Sequence, residues 1–253
     1  MHSHHLLASV VVEFSTWGVD LFGVIAVGLW LLSPPGDTLW KRACAAGLSA
    51  AALGLLVNAV LTHLWHRPRP YQSHHDIVPL VHPSLDPSFP SDHATAALSI
   101  ALGVFFVSRR AGWLFLVFAG LVAISRVLAG MHYPTDVLAS LAVSVVSGYV
   151  MARLLMERAL VPLIGLVSRL TDPLLSRLAG VSAVRSTVLS PSFRGRVVAI
   201  VGLAIFARIL IAERSHILDE LPLLVLIGWA AVAAVAVWLA AQPYWPKRSA
   251  QAT

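Results

Sequence analysis

Two histidines, three arginines, a serine and a carboxylate stand at the edges of apolar runs in this chain. They fall in three strings: His66-Arg67-Pro68-Arg69-Pro70, then Pro90-Ser91-Asp92-His93, then Ser125-Arg126 followed by His132 and Asp136. This set of groups can hold a phosphate, attack it and protonate what leaves. Guanidinium forks match phosphate oxygens. Imidazoles serve as nucleophile or proton donor, and a carboxylate fixes an imidazole's tautomer.

His132 and Asp136 are four residues apart, so on a helix they share a face. Pro134 favours a helix beginning there, which leaves His132 at the mouth. A carboxylate bonded to one imidazole nitrogen would free the other for attack. Arg126, six residues before His132, can fold back across a short turn. By itself this string equally suits an interfacial histidine beside a helix cap. Ser91 is a natural N-cap, and the free N–H groups of the turn that follows favour an anion. His93, in that first turn, is placed to protonate a leaving oxygen. Asp92 suits the helix dipole but would repel a phosphate dianion, so it is expected to turn aside, capping a loop or bonding an Arg or His. Alone, this string reads as an ordinary helix start. Arg67 and Arg69 alternate with prolines that stiffen their turn. Two cations there would neutralise the charge that shifts during phosphoryl transfer. An interfacial anchor of Trp65 and arginines among headgroups is the alternative. It predicts no partner strings downstream.

Apolar helices must position these groups. The chain is 58% hydrophobic and 12% charged, with a mean hydropathy of +0.80. Soluble domains carry about 25% charged residues, and several apolar runs here approach the roughly 20 residues that cross a bilayer. The fold class is all-α: a polytopic membrane helical bundle. Spans are expected over about 16–32, 43–64, 93–108, 113–129 and 134–155, and again over 197–213 and 221–241, seven in all. Residues 6–15 read as an amphipathic interfacial stretch, and 156–195 as one or two helices lying in the membrane surface. Asp172-Pro173 reads as a helix start in that segment. His2, His4 and His5 read as a solvated tail, and the single cysteine, Cys44, as a small buried core residue. The organisation is then a membrane helical core over 1–155 and an appendage over 156–253.

Charge sets the topology. Of the 18 Lys and Arg residues, 13 fall in alternate loops on one side and four on the other, with Arg208 inside a span. The positive-inside rule puts the larger group in the cytoplasm, so all three strings face outside. The net charge of +6 is distributed as this topology signal, which excludes a nucleic-acid partner. Arg208 reads as a snorkelling or a functional charge, and Glu213, Asp219 and Glu220 as a solvated acidic loop.

Together the strings resemble the signatures of the type 2 phosphatidic acid phosphatase superfamily: Lys-x6-Arg-Pro, Pro-Ser-Gly-His and Ser-Arg-x5-His-x3-Asp. Ser125, Arg126, His132 and Asp136 match the third completely. Pro90, Ser91 and His93 match the second, with Asp92 in place of Gly. Arg69 and Pro70 keep the end of the first, with Thr62 where Lys is expected. His66 to Pro70 and Pro87 to His93 are similar to the bacitracin-resistance branch, undecaprenyl-diphosphate phosphatases of bacterial membranes. The resemblance covers about residues 55–155.

The resemblance implies a membrane core of five to seven helices in the bacterial inner membrane, and a lipid phosphate as substrate. It implies His132 as nucleophile forming a phosphohistidine, Asp136 orienting it, and His93 as acid and then base. Arg69, Arg126 and Ser91 would hold the phosphate, with Arg67 supplying the charge of the missing Lys. Neither metal nor cofactor is implied, since arginines carry the positive charge. Phosphatidate, phosphatidylglycerol phosphate or a sugar-linked polyprenyl phosphate are alternative substrates. A lipid transporter or scramblase using the basic mouth only to bind headgroups is the non-enzyme alternative. Membrane lipids are the surroundings either way, and the last hundred residues leave docking, a homo-oligomer or a further partner open.

Overall fold

The computed structural model describes residues 2–31 and 38–178, and these are helical or loop throughout. The helices are α1 (His2–Leu31), α2 (Leu39–Leu64), the single turn α3 (Pro70–Ser73), α4 (Asp92–Val107), α5 (Arg109–Leu128) and α6 (Pro134–Tyr149). Two π-helical turns follow, Val150–Leu154 and Met156–Leu160, and then α7 (Val161–Leu178).

Among the described residues, four segments are long and apolar enough to cross a membrane: Ala8–Gly28, Leu39–Leu64, Arg109–Leu128 and Pro134–Leu154. The third expected span, α4, is a shorter apolar helix. It is buried continuously from Ala94 to Val104, as a helix apolar on all sides must be. It forms the centre of the bundle, packed on α2, α5 and α6. Leu56, Val60, Trp113, Val117, Ile124, Leu138 and Val146 stay exposed on the helices around it. This is the lipid-facing pattern of a polytopic bundle.

Small and hydroxylic residues let the inner helices approach. A Cβ on Gly103 would stand 2.6 Å from Gly47 Cα, so α2 and α4 meet backbone to backbone there. Between α4 and α6 runs a buried hydroxyl column. Ser140 Oγ donates to the Ser91 carbonyl (3.0 Å), Ser144 Oγ to the Thr95 carbonyl (3.1 Å) and Ser99 Oγ to Ser144 Oγ (3.0 Å). Such cross-helix bonds hold helices together where lipid offers no hydrophobic drive.

Two expectations are corrected. Residues 6–15 are not a separate interfacial stretch: they belong to α1, which runs unbroken from His2. Asp172-Pro173 does not begin a helix, because Pro173 lies inside α7. Tertiary contacts outweigh the local start signal: Lys41 Nζ, buried at the first turn of α2, bonds Asp172 Oδ1 at 2.7 Å and Ser168 Oγ at 3.0 Å. Arg42 pairs with Glu157 beside it. Both ion pairs sit at the end of α2 far from residues 66–70. Cys44 is buried as expected. The expected spans over 197–213 and 221–241, Arg208 and the acidic loop lie outside the described residues.

Candidate active site

The three strings meet at one end of the bundle. α2 ends at Leu64 and delivers Arg67 and Arg69; α4 begins at Asp92 behind its N-cap Ser91; α5 and α6 are joined by the turn that carries His132. That turn depends on Gly130, whose φ of +72° is the left-handed region that other residues rarely enter. The N–H groups of Met131 and His132 both return to the Arg126 carbonyl, at 3.1 and 3.3 Å. The last turn of α5 and the nucleophile candidate are thereby locked together.

His132 is buried with both ring nitrogens engaged. Nδ1 lies 2.7 Å from the Ser88 carbonyl oxygen, and Nε2 lies 3.3 Å from Arg69 Nη1. A carbonyl only accepts and a guanidinium only donates. The tautomer is therefore set: Nδ1 carries the proton and Nε2 carries the lone pair. Burial, then the charges of Arg69 and Arg126, lower the His132 pKa from its ordinary 6.5 to about 3. The ring is neutral at physiological pH. His93, half-buried in the first turn of α4, is also near enough to act electrostatically on it.

Asp136 is fully buried, and its link to His132 differs from the expected direct bond. Its Oδ2 is 3.9 Å from His132 Nδ1. That oxygen accepts instead from the Ser88 hydroxyl and, at 2.8 Å, from the Tyr133 N–H at the start of α6. Ser88 joins the pair: its carbonyl holds the imidazole and its hydroxyl holds the carboxylate. The loop carrying Ser88 reaches the ring first, which leaves the helix-borne carboxylate one group behind. Sequence reasoning missed Ser88, whose main-chain oxygen gains meaning only once its loop is folded over His132.

Arg69 is buried. Its Nε donates to the Asp86 carbonyl at 2.8 Å, and its Nη1 to the Met131 carbonyl at 3.2 Å as well as to His132. Arg67 is half-buried at the rim. It pairs with Asp136 Oδ1 (2.8 Å) and Thr135 Oγ1 (2.7 Å) and stacks on the Tyr133 ring at 3.9 Å. Most of its charge is thus engaged with Asp136. Arg126 is buried and turned toward α1: Nη1 donates to Ser15 Oγ (2.6 Å) and to the Ser15 carbonyl (2.9 Å). Ser15 is a second residue that sequence reasoning missed. Its signal was masked because residues 6–15 read as an interfacial stretch; within the span Ala8–Gly28 a polar side chain usually faces the bundle interior.

Ser91 caps α4 as expected, accepting from the Ala94 N–H at 3.5 Å. Asp92 turns aside as expected, but toward an amide rather than an Arg or His: Asn58 Nδ2 donates to its Oδ1 at 2.8 Å and to Thr95 Oγ1 at 2.9 Å. One turn further along α2, Thr62 Oγ1 donates to the Phe89 carbonyl at 3.1 Å. Asn58 and Thr62, four apart on one helix face, brace the loop-to-helix turn that carries Ser91 and His93.

A neutral imidazole, buried guanidinium groups and a capped helix start gather at one end of an all-helical bundle, an arrangement able to hold a phosphate. A model of the PAP2 superfamily matches residues 42–159. The chain belongs to that superfamily and is a multi-pass membrane lipid phosphatase. It is 33% identical over 180 residues to "Undecaprenyl-diphosphatase BcrC" of Bacillus subtilis, covering 70% of this chain and 89% of that protein. It is 33% identical over 124 residues to "Putative undecaprenyl-diphosphatase YbjG" of Escherichia coli, covering 49% and 61%. It is 32% identical over 135 residues to "Decaprenylphosphoryl-5-phosphoribose phosphatase" of Mycobacterium tuberculosis, covering 52% and 73%.

Proposed function

We propose that the chain removes the terminal phosphate of a polyprenyl diphosphate, undecaprenyl or decaprenyl, at the external face of the bacterial plasma membrane. The observation that carries this reading is the His132 ring itself: protonated at Nδ1, neutral, with its Nε2 lone pair beside Arg69. The length of the match to the Bacillus subtilis relative favours the diphosphate. The split of basic loops favours the external face.

His132 Nε2 attacks the terminal phosphorus, and the bond from phosphorus to the bridging oxygen breaks. Burial and then the Arg126 charge lower the His93 pKa to about 4, and the negative charge of the bound diphosphate favours its protonated form; that form gives its proton to the departing lipid monophosphate. The phosphohistidine is a cation at the ring, stabilised by Nδ1–H donation to Ser88 and by the Asp136 carboxylate behind it. His93, now neutral, takes a proton from water, which attacks phosphorus and releases inorganic phosphate as the N–P bond breaks. Arg69, Arg126, Ser91 and the first N–H groups of α4 hold the non-bridging oxygens. Arg67, at the rim, pairs with Asp136. Charge stabilisation by preplaced donors supplies the main rate gain.

The test is phosphate release by the purified protein across a panel of lipids, with and without chelator. The panel holds undecaprenyl diphosphate, phosphatidate, phosphatidylglycerol phosphate and decaprenylphosphoryl-5-phosphoribose phosphate. Preference for the diphosphate, unchanged by chelator, supports the reading. Preference for the phosphoribose lipid would move the assignment to the branch of the Mycobacterium tuberculosis relative. Lipid movement without phosphate release would overturn it in favour of a transporter.

A further inference from the structure

The family match begins at residue 42, yet the site does not end there. α1 lies wholly before that point and packs along α5, the helix whose last turn carries Arg126. Ser15 is fully buried in the middle of α1, and Arg126 is only 6% exposed. A guanidinium so deeply placed must have its donors met. Two are met by one residue of α1, because the Ser15 hydroxyl and carbonyl oxygens both receive Nη1.

The guanidinium group is planar and rigid. Fixing Nη1 on two oxygens therefore fixes where the opposite edge of the plane, Nε and Nη2, is aimed. That edge is the one that meets an anion with two parallel bonds. Its Nε is buried and has no hydrogen-bond partner among the described residues. A buried N–H left without an acceptor is costly, and a phosphate oxygen would meet it. α1 also brings Asp20 within electrostatic reach of His93, so the helix approaches both the phosphate clamp and the proton donor.

We propose that α1 is part of the active site, with Ser15 as the positioning residue that sets the plane of the Arg126 guanidinium toward the phosphate. The proposal rests on the reading of Arg126 as a phosphate ligand. Without the Ser15 hydroxyl, Nη1 keeps one of its two anchors, the fork turns more freely, and phosphate binding loses orientation rather than charge.

The test uses the full chain and four variants: Ser15→Ala, Ser15→Thr, Arg126→Lys, and Ser15→Ala combined with Arg126→Lys. Inorganic phosphate is the probe, as a competitive product inhibitor, alongside KM, kcat and thermal stability. Ser15→Ala is expected to raise the phosphate inhibition constant and KM about 5- to 10-fold, less than the full worth of a hydrogen bond to a charged group because the Ser15 carbonyl still holds Nη1. Ser15→Thr restores both to within about twofold, since it returns the hydroxyl. In the Arg126→Lys background, which has no fork to orient, Ser15→Ala changes neither further. Wild-type phosphate inhibition in Ser15→Ala, with Arg126→Lys impaired, overturns the inference alone. So does an equal loss from Ser15→Ala in both backgrounds, which would mark a packing effect. Wild-type kinetics in Arg126→Lys would overturn the phosphate-ligand reading and the inference with it.

Discussion

The carbonyl oxygen of Ser88 lies 2.7 Å from Nδ1 of His132, while the hydroxyl of the same serine bonds the carboxylate that the ring would otherwise reach. His132 is thus held by main chain, and that main chain is held by Asp136.

This relay predicts what Ser88→Ala does. The carbonyl remains, so the tautomer is kept, but the loop loses its tie to Asp136. A hydrogen bond to a charged group contributes roughly 1.5–3 kcal/mol, about 10- to 100-fold if it is expressed fully in the transition state. kcat is expected to fall within that range, with KM nearly unchanged. Wild-type kcat in purified Ser88→Ala would show the tie to be idle.

Trapping separates the two histidines. His132→Ala is expected to release no phosphate above background and to accumulate no acid-labile phosphoenzyme from radiolabelled substrate. His93→Ala loses the acid–base step, worth about 10²- to 10⁴-fold, while its His132 can still be phosphorylated. Labelled phosphoenzyme in His132→Ala would end the nucleophile assignment.

Acid should weaken the fold through His132. Its pKa is about 3 in the folded protein, against 6.5 for the ordinary group, so between these values the unfolded chain binds the extra proton. The stability from keeping the ring neutral is fully present above pH 6.5 and is lost as pH falls toward 3. The slope is on the order of 1.4 kcal/mol per pH unit within that window. His132→Asn, which cannot titrate there, should show a shallower fall in Tm between pH 7 and pH 4.5. Parallel curves for the two proteins would contradict the assignment of this slope to His132.

Arg67 should matter to stability more than its position at the rim suggests. Removing it leaves Asp136, with no exposed surface, short of its counter-ion. Breaking a buried pair costs roughly 3–5 kcal/mol. Arg67 keeps 32% of its side-chain exposure, so solvent screening reduces the cost to about 2 kcal/mol. Arg67→Ala is expected to lower Tm by about 4–8 °C at this chain length, with Arg67→Lys in between because it lacks the fork and the stack on Tyr133. Thermal unfolding in detergent measures both, and an unchanged Tm in Arg67→Ala would show the pair to be idle.

Much of this was written along the chain. Apolar length and charge placement located α2, α4, α5 and α6 to within a few residues, because a bilayer core and its loops impose strict periodicities on composition. The spacing of His132 and Asp136 and the cap at Ser91 were equally readable, since helix geometry relates neighbours three or four apart. What the chain order left open was every contact between distant stretches. Asp172-Pro173 carried a local start signal that Lys41, 131 residues away, overrode. Asp136 was placed against His132 by spacing, yet Ser88 came between them.

Residue types and their intervals specified that this is a helical membrane protein with a phosphoryl-transfer chemistry, because both rest on short-range rules of helix, cap and bilayer. Packing settled which atom faces which: the Nδ1 proton of His132, the plane of Arg126 against α1, the carboxylate of Asp92 turned onto Asn58. These depend on directional bonds between groups 34 to 111 residues apart, and such bonds exist only after the helices have closed around one another.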